Sequence, residues 1–183
     1  IQDTQQLNHH DDLQEAVRLL QKAQVIDIYG VLDHVLLAKH FKTLMMYIGK
    51  DVQVIDQVTG QKRSACLADE THCAIIISYS GQTEEMLEVA EIYHKRNIPF
   101  ISITCMAENS ISRLADVHLY LSSREMLHIK IGDFASTTSL KYLFDILYAG
   151  VFSYDYKKNL ETKIVVASYV DDRQSEDEYI NEK

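Results

Sequence analysis

Short apolar runs alternate with amphipathic helical patterns along this 183-residue chain. Five runs predict strands, and they read VIDIYG, VQVID, CAIIIS, PFISIT and DVHLYLS, at positions 25–30, 52–56, 73–78, 99–104 and 116–122. The third run is short, continuous and rich in β-branched residues, which is typical of a strand buried on both faces of a parallel sheet. Alternating strands and helices predict an α/β fold with a parallel sheet between two layers of helices.

The charge of the chain limits the ligands that it can hold. The net charge is −9, with 27 acidic against 18 basic residues, and lysine and arginine form no block. Duplex nucleic acid needs positive charge to neutralise its phosphates, so this chain by itself is a poor candidate for binding it. A small phosphorylated ligand is compatible with the charge, because backbone amides at a helix start can bind an anion locally. No apolar run is long enough to span a membrane, so we expect no membrane contact.

The cysteines are Cys66, Cys73 and Cys105, an odd count without a paired C-x-x-C spacing. This pattern argues against a disulfide framework and against a zinc ribbon. The pair His9–His10 lies beside acidic residues, and we interpret it as solvated polar side chains and not as a metal site. We therefore expect reduced thiols, a cytoplasmic location, and neither a metal nor a cofactor.

The segment SYSGQT, at 78–83, follows the third predicted strand and precedes a helical pattern. In parallel α/β sheets, ligands collect at the carboxyl ends of the strands. Gly81 permits a tight turn, while Ser78, Ser80 and Thr83 supply hydroxyl groups beside the first amides of the helix. This combination suits a phosphate. The same hydroxyl groups would also serve as ordinary helix caps; we favour ligand binding because all of them surround one glycine after a buried strand.

The stretch SYSGQTEE resembles the S-x-S-G-x-T-x-E signature of the sugar isomerase (SIS) domain family. The segments VIDIYGVLDHVLLAKHF, NSISRLADVHLYL and FASTTSLKYLFDILY resemble further parts of that domain, so the resemblance covers most of 25–156. It is nearest to the effector domain of RpiR-type transcriptional regulators, in which a helix-turn-helix domain precedes the SIS domain. The segment DTQQLNHHDDLQEAVRLLQKA resembles the connecting helix of such regulators, so we expect 1–24 to form a connecting segment and an N-terminal helix, and 157–183 to form a polar, acidic extension.

The resemblance implies a five-stranded, flavodoxin-like sheet in a three-layer sandwich that binds phosphorylated sugars. It places the phosphate on the hydroxyl groups and amides of one loop, formed by Ser78, Ser80, Gly81, Gln82 and Thr83. Glu85 matches the glutamate of the signature, as a ligand contact or as a structural residue. Ser123, which follows the last predicted strand, is a further position that could reach the ligand.

The first loop departs from the family pattern, which is G-x-G-x-S. Here it reads Gly30-Val31-Leu32-Asp33-His34, with leucine in place of the second glycine and histidine in place of the serine. Leucine cannot copy a glycine at positive φ without strain, so we expect a different loop backbone or a more distant ligand. Asp33 adds a negative charge near the proposed phosphate. His34 could donate to a phosphate or sugar oxygen, or it could be a partly exposed residue of the first helical turn, which we favour.

Three functions fit the sequence. The first is a sugar-phosphate sensor of an RpiR-type regulator, which would contact DNA only through an N-terminal domain missing from a chain that starts without methionine. The second is a phosphosugar isomerase, with a base among Glu85, Glu125, His34 and His128, none of which has a spacing that demands catalysis. The third is a ligand-free dimerisation module. We favour the sensor and expect a homodimer or a higher homo-oligomer.

Overall fold

A parallel β-sheet forms the centre of the molecule. The computed structural model describes residues 1–105, 108–122, 125 and 132–170. The strands of this described part are β1 (Val25–Tyr29), β2 (Asp51–Ile55), β3 (His72–Ile77), β4 (Phe100–Thr104) and β5 (Val117–Tyr120). Within these residues they form one five-stranded sheet in the order β2-β1-β3-β4-β5, and all neighbouring strands are parallel. The five predicted strands are confirmed, and the order is the flavodoxin-like one that the resemblance implied.

Helices cover both faces of the sheet. The helices of the described part are α1 (Gln2–Leu7), α2 (His10–Lys22), α3 (Asp33–Met46), α4 (Val58–Leu67), α5 (Glu84–Lys95), α6 (Phe134–Tyr154) and α7 (Tyr156–Val170). Helices α4 and α5 pack on one face, and α2, α3 and α6 pack on the other. The fold is thus the predicted three-layer α/β/α sandwich. Among the helices that the structure describes, none combines the length and the apolar character that crossing a bilayer requires.

Some local features differ from what the sequence pattern suggests. The first eight residues are polar and carry no clear helical pattern, yet they contain α1, because Thr4 and Asn8 bond to the rest of the domain. The segment NSISRLA predicts a short helix, but residues 110–114 form turns. In the expected extension at 157–183, the part up to residue 170 belongs to α7, and the remainder lies outside the described residues.

The core consists of two apolar layers, one on each face of the sheet. Strand β3 is central, and its residues 73–77 are fully buried. On one face, isoleucines of β1, β3 and β4 meet the stacked rings of Phe41 and Phe144, whose centroids are 4.7 Å apart. On the other face, the strands meet Met86 and Tyr93 of α5. Burial from both sides holds β3 in place and so determines where its carboxyl end and the following loop lie.

A buried polar network crosses the second of these layers. Asp27, in the middle of β1, is 1% exposed, and its Oδ2 accepts a 2.7 Å hydrogen bond from the hydroxyl of Tyr93. The same oxygen lies 2.7 Å from Nδ1 of His72, and the Tyr93 hydroxyl lies 3.2 Å from that of Tyr29. Burial, and then the charge of Asp27, raises the pKa of Tyr29 to about 12. Burial also raises the pKa of Tyr93, so both hydroxyl groups keep their protons and tie β1 to β3 and α5.

Replacing Tyr93 by phenylalanine tests this network. The variant removes a donor from a buried carboxylate, so we expect the free energy of unfolding in urea to fall by about 1.5–3 kcal/mol, the range for hydrogen bonds to charged groups. Tyr148→Phe is the matched control, because among the described residues nothing hydrogen-bonds its buried hydroxyl. We expect that control to be as stable as the parent chain or more stable. Equal losses in the two variants would contradict a role for the Asp27–Tyr93 bond.

Candidate anion-binding site

The candidate site lies where the chain leaves β1 and β3 in opposite directions. The two strands are neighbours; the chain continues from β1 to β2 on one side and from β3 to β4 on the other. Such a reversal opens a crevice at the carboxyl ends of the strands. The flanking connections are the first loop, residues 30–32, and the β3 loop, residues 78–83. A side chain added at Gly30 would meet the Cβ atoms of His34 at 3.2 Å and of Ile77 at 3.6 Å, so the two loops start side by side.

The β3 loop satisfies its own amides with its hydroxyl groups. Gly81 is left-handed, with a φ of +66°, and its amide donates to the carbonyl and hydroxyl oxygens of Ser78, both at 3.1 Å. The Gln82 amide donates to Ser80 Oγ at 3.2 Å. Ser78 Oγ lies 2.8 Å from Thr83 Oγ1. The loop is therefore a compact turn whose own hydrogen bonds hold its shape.

The hydroxyl groups of the β3 loop differ in what they can offer a ligand. Ser78 is 1% exposed and lies beneath the turn, whereas Ser80 and Thr83 are partly exposed. Ser80 uses its oxygen to accept from a loop amide, which leaves its one proton to donate. When Ser78 donates to Thr83, the proton of Thr83 likewise points outward. The structure brings the predicted residues together, with two partly exposed hydroxyl groups on the outside and one buried hydroxyl group beneath them.

The start of α5 is the second component of the site. Thr83 is its N-cap residue, and within the described part of the chain no side chain caps this helix. The first amides of α5 therefore lie beside the loop, where their partial positive charge favours an anion. Glu85, the matching glutamate of the signature, is exposed on the first turn beside Glu84. Both carboxylates are also attracted to this end of the helix, so they compete in part with a bound anion.

The β3 loop rests on a turn that follows β4. A side chain added at Gly81 would lie 2.1 Å from Cγ of Asn109, which is itself 2% exposed. Oδ1 of Asn109 accepts from the amides of Ile111 and Ser112, at 3.1 and 2.9 Å. Its Nδ2 donates to Thr104 Oγ1 at 2.7 Å. Asn109 thus caps the turn that it begins, and no sequence pattern indicated that it also supports Gly81.

Leu32 keeps a glycine-like backbone in the first loop. Its φ is +53° and its ψ is −124°, and the His34 amide donates to the Val31 carbonyl at 3.2 Å. These angles are those of the first central residue of a type II′ turn, a position that glycine normally occupies. A leucine with these angles is strained by about 1–3 kcal/mol, and the expected difference in loop backbone or in ligand distance stays a prediction. Its side chain is 84% exposed, so packing does not offset that strain.

Gln61 supports the first loop, and no sequence pattern indicated it. It is 1% exposed on α4, and its Nε2 donates to the carbonyl oxygens of Gly30 at 3.0 Å and Ile55 at 3.1 Å. These carbonyls follow β1 and end β2, so one side chain ties together the carboxyl ends of two strands. Its role depends on backbone atoms that the fold brings to it, which is why the sequence alone does not reveal it.

The start of α6 is occupied by the carboxylate of Glu125. Its Oε1 accepts from the amides of Ala135 and Ser136, and its Oε2 accepts from the Ser136 hydroxyl at 2.7 Å. The sequence left Glu125 open as a catalytic base, whereas here it caps a helix. A protein carboxylate thus fills this helix start, while α5 has no capping side chain in the described residues. The geometry therefore favours α5 for an external anion.

His34 and Ser123 are the other predicted contacts. His34 lies on the first turn of α3, partly buried, beside the crevice, and both interpretations of its role stay open. Ser123 lies outside the described residues, as does His128 among the candidate bases. In the described part of the chain, no group of three or more histidine, cysteine or acidic side chains could hold a metal ion.

Sequence comparison matches most of the chain to one domain family. The family model of the SIS domain matches residues 19–143. YbbH, an uncharacterized HTH-type transcriptional regulator of Bacillus subtilis, is 28% identical over 157 residues, which make up 86% of this chain and 56% of that relative. The chain therefore spans little more than half the length of this relative.

Solved structures share the fold. The NanR protein of Vibrio vulnificus, solved in complex with ManNAc-6P, superposes with a TM-score of 0.85 at 24% identity, over 92% of this chain and 63% of that one. The sugar isomerase domain of an RpiR transcription factor from Sphaerobacter thermophilus superposes with a TM-score of 0.78 at 16% identity, over 91% of each chain. At these identities the likeness concerns the fold, and it confirms the predicted architecture.

Replacing Gly81 by alanine tests the packing beneath the β3 loop. The new Cβ would sit at positive φ and overlap Asn109, so we expect the free energy of unfolding to fall by clearly more than the roughly 1–2 kcal/mol of a left-handed alanine. Gly49→Ala is the matched control, because Gly49 has a φ of +74° with nothing within 4 Å of the added Cβ. Urea denaturation of both variants gives the comparison. Equal stability of the two would contradict the close contact with Asn109.

Replacing Leu32 by glycine tests the strain in the first loop. We expect the free energy of unfolding to rise by about 1 kcal/mol, since the relieved strain exceeds the entropic cost of an added glycine. For a chain of this length that corresponds to a rise of about 2–4 °C in Tm. The control is Leu36→Gly, at an exposed position inside α3. Its free energy of unfolding should fall by about 1 kcal/mol. A loss of stability in both variants would show that Leu32 is not strained.

Proposed function

This chain belongs to the SIS domain family, and we propose that it is the sugar-phosphate-sensing part of a cytoplasmic RpiR-type transcriptional regulator that forms a homodimer or a higher homo-oligomer. In this proposal the phosphate binds the β3 loop and the start of α5, and the sugar extends towards the first loop. A helix-turn-helix domain elsewhere in the whole protein binds DNA. The ligand alters DNA binding because it has different affinities for two states of the regulator. The similarity to an HTH-type regulator supports this assignment.

The observation that carries the proposal is the meeting of two partly exposed hydroxyl groups with a helix start that no side chain caps in the described part of the chain. Ser80 has a proton to donate, Thr83 has one when it accepts from Ser78, and the amides of α5 begin beside them. A phosphate group has several acceptor oxygens and a negative charge, so it is complementary to both features. The NanR structure supports this ligand class, because that protein has the same fold and was solved with a phosphorylated sugar.

The charges around the crevice give a bound phosphate little attraction, so its affinity depends on short-range contacts. The β3 loop contains no lysine or arginine, and Asp33, Glu84 and Glu85 begin the two nearest helices. A phosphate therefore gains little from the general field of the protein and must be held by directional hydrogen bonds and by the dipole of α5. The affinity should consequently depend strongly on the hydroxyl groups of Ser80 and Thr83.

The placement of Glu85 and Glu125 favours binding without turnover. An isomerase needs a base beside the reacting carbons of the sugar. The carboxylate of Glu125 is engaged by the start of α6, and Glu85 is exposed on α5. His34 lies beside the crevice and would be the base in the alternative function, a phosphosugar isomerase.

A thermal-shift experiment with ManNAc-6P, fructose 6-phosphate, arabinose 5-phosphate and unphosphorylated ManNAc tests the proposal. A sugar phosphate at 100 times its Kd should stabilise the chain by about 2.7 kcal/mol, or roughly 5–10 °C at this length. The unphosphorylated sugar should have no effect. Ser80→Ala and Thr83→Val should each weaken binding about tenfold, the equivalent of one hydrogen bond to a charged group. Ser168→Ala, at an exposed position of α7, is the control and should respond like the parent chain.

Each alternative has its own outcome in this experiment. If no sugar phosphate raises the Tm, the sensor function is contradicted and the ligand-free dimerisation module is favoured. Interconversion of aldose and ketose phosphates, detected by chromatography of the products, would favour the isomerase. An undiminished shift in both Ser80→Ala and Thr83→Val would show that the phosphate lies outside the β3 loop.

A further inference from the structure

Tyr79 connects the β3 loop to the chain before α6. It stands between Ser78 and Ser80 in sequence, but its ring is buried in the apolar layer beneath α6. Its hydroxyl donates to the carbonyl oxygen of Glu125 at 2.7 Å, and its own carbonyl accepts from the Cys105 amide at 2.9 Å. A displacement of the loop must therefore carry Glu125 with it or break the bond between them.

Glu125 continues this connection into α6. Its carboxylate accepts from the amides of Ala135 and Ser136 and from the Ser136 hydroxyl. Ser136 and Ser139, which is one turn further along, are each 1% exposed. Hydrogen bonds shielded from water in this way are strong and directional, so a shift of Glu125 must be followed by the first turn of α6.

Ser139 connects α6 to α1. Its Oγ lies 2.6 Å from Oγ1 of Thr4 and accepts from the Ser122 amide at 3.0 Å. Thr4 is the buried residue of α1, which has six residues and is too short to be a stable helix by itself. Asn8 adds two hydrogen bonds to the backbone of Tyr120, at 2.8 and 2.9 Å. The docking of α1 thus depends on polar contacts with α6 and β5.

We propose that occupancy of the β3 loop is transmitted to α1 through Tyr79, Glu125 and the first turns of α6. A phosphate that draws the outer hydroxyl groups towards itself shifts Tyr79, and the shift passes through Glu125 to the contact between Thr4 and Ser139. α1 responds because its buried anchor is a hydroxyl group and not an apolar side chain. The identity of the ligand rests on the function proposed above, whereas the chain of hydrogen bonds does not.

Hydrogen exchange of the ligand-free chain tests the connection independently of any ligand. Tyr79→Phe keeps the ring but removes the bond to Glu125, so the amides of residues 1–9 should exchange about fivefold faster, the equivalent of one hydrogen bond. Peptides from β1 and β3 should exchange as in the parent chain. Tyr47→Phe, at the end of α3, is the matched control and should leave α1 unchanged. If Tyr79→Phe does not fold, Glu125→Gln replaces it, because it weakens the next contact in the connection and should also speed exchange in residues 1–9.

The second part of the experiment repeats the hydrogen exchange with a sugar phosphate that raises the Tm of the parent chain. That compound should slow exchange in residues 1–9 of the parent chain, and this protection should be lost in Tyr79→Phe even when the compound still binds. By reciprocity, Thr4→Val should weaken its binding. Exchange in α1 that is the same in Tyr79→Phe and Tyr47→Phe would overturn the connection. Failure of every sugar phosphate to bind would refute the proposed function and leave the ligand-free result standing.

Discussion

The contact between Gly81 and Asn109 is the constraint from which the candidate site follows. Burial on both faces holds β3, and the chain must then turn sharply at its carboxyl end. The turn needs a left-handed residue, and the side chain of Asn109 leaves no room for a Cβ there. With glycine in place, the loop folds back so that its hydroxyl oxygens accept from its own amides. The remaining hydroxyl protons and the start of α5 then lie together at the crevice.

Two helix starts near the same edge of the sheet have different roles. At α6 the protein supplies its own carboxylate, Glu125, which satisfies amides that would otherwise favour an external anion. At α5 the described residues supply no capping side chain, so an anion from outside can take that place. Tyr79 joins the two, since it belongs to the β3 loop and bonds to the backbone of Glu125. Tyr79 thereby connects the loop before one helix start to the residue that caps the other.

The first loop shows where prediction from sequence reaches its limit. The replacement of a family glycine by Leu32 suggested that the backbone would change to avoid strain. Leu32 has a positive φ all the same, while Gln61 binds the Gly30 carbonyl and a turn bond joins His34 to Val31. These contacts hold the path of the chain on both sides of the leucine, so the strain stays at that residue. A local conformational preference was outweighed by contacts that sequence patterns do not display.

The sequence by itself determined the five strands, the helices that follow the first three of them, the parallel sheet and the loop of serines, glycine and threonine, because these depend on periodicity and on short-range turn chemistry. The SIS signature lies within eight consecutive residues, so it could also be recognised from the sequence alone. Only the tertiary structure decided that Asn109 supports Gly81, that Glu125 caps α6 and that Thr4 meets Ser139. The last pair is separated by 135 positions, and such contacts form only when packing of the sheet and helices brings distant segments together.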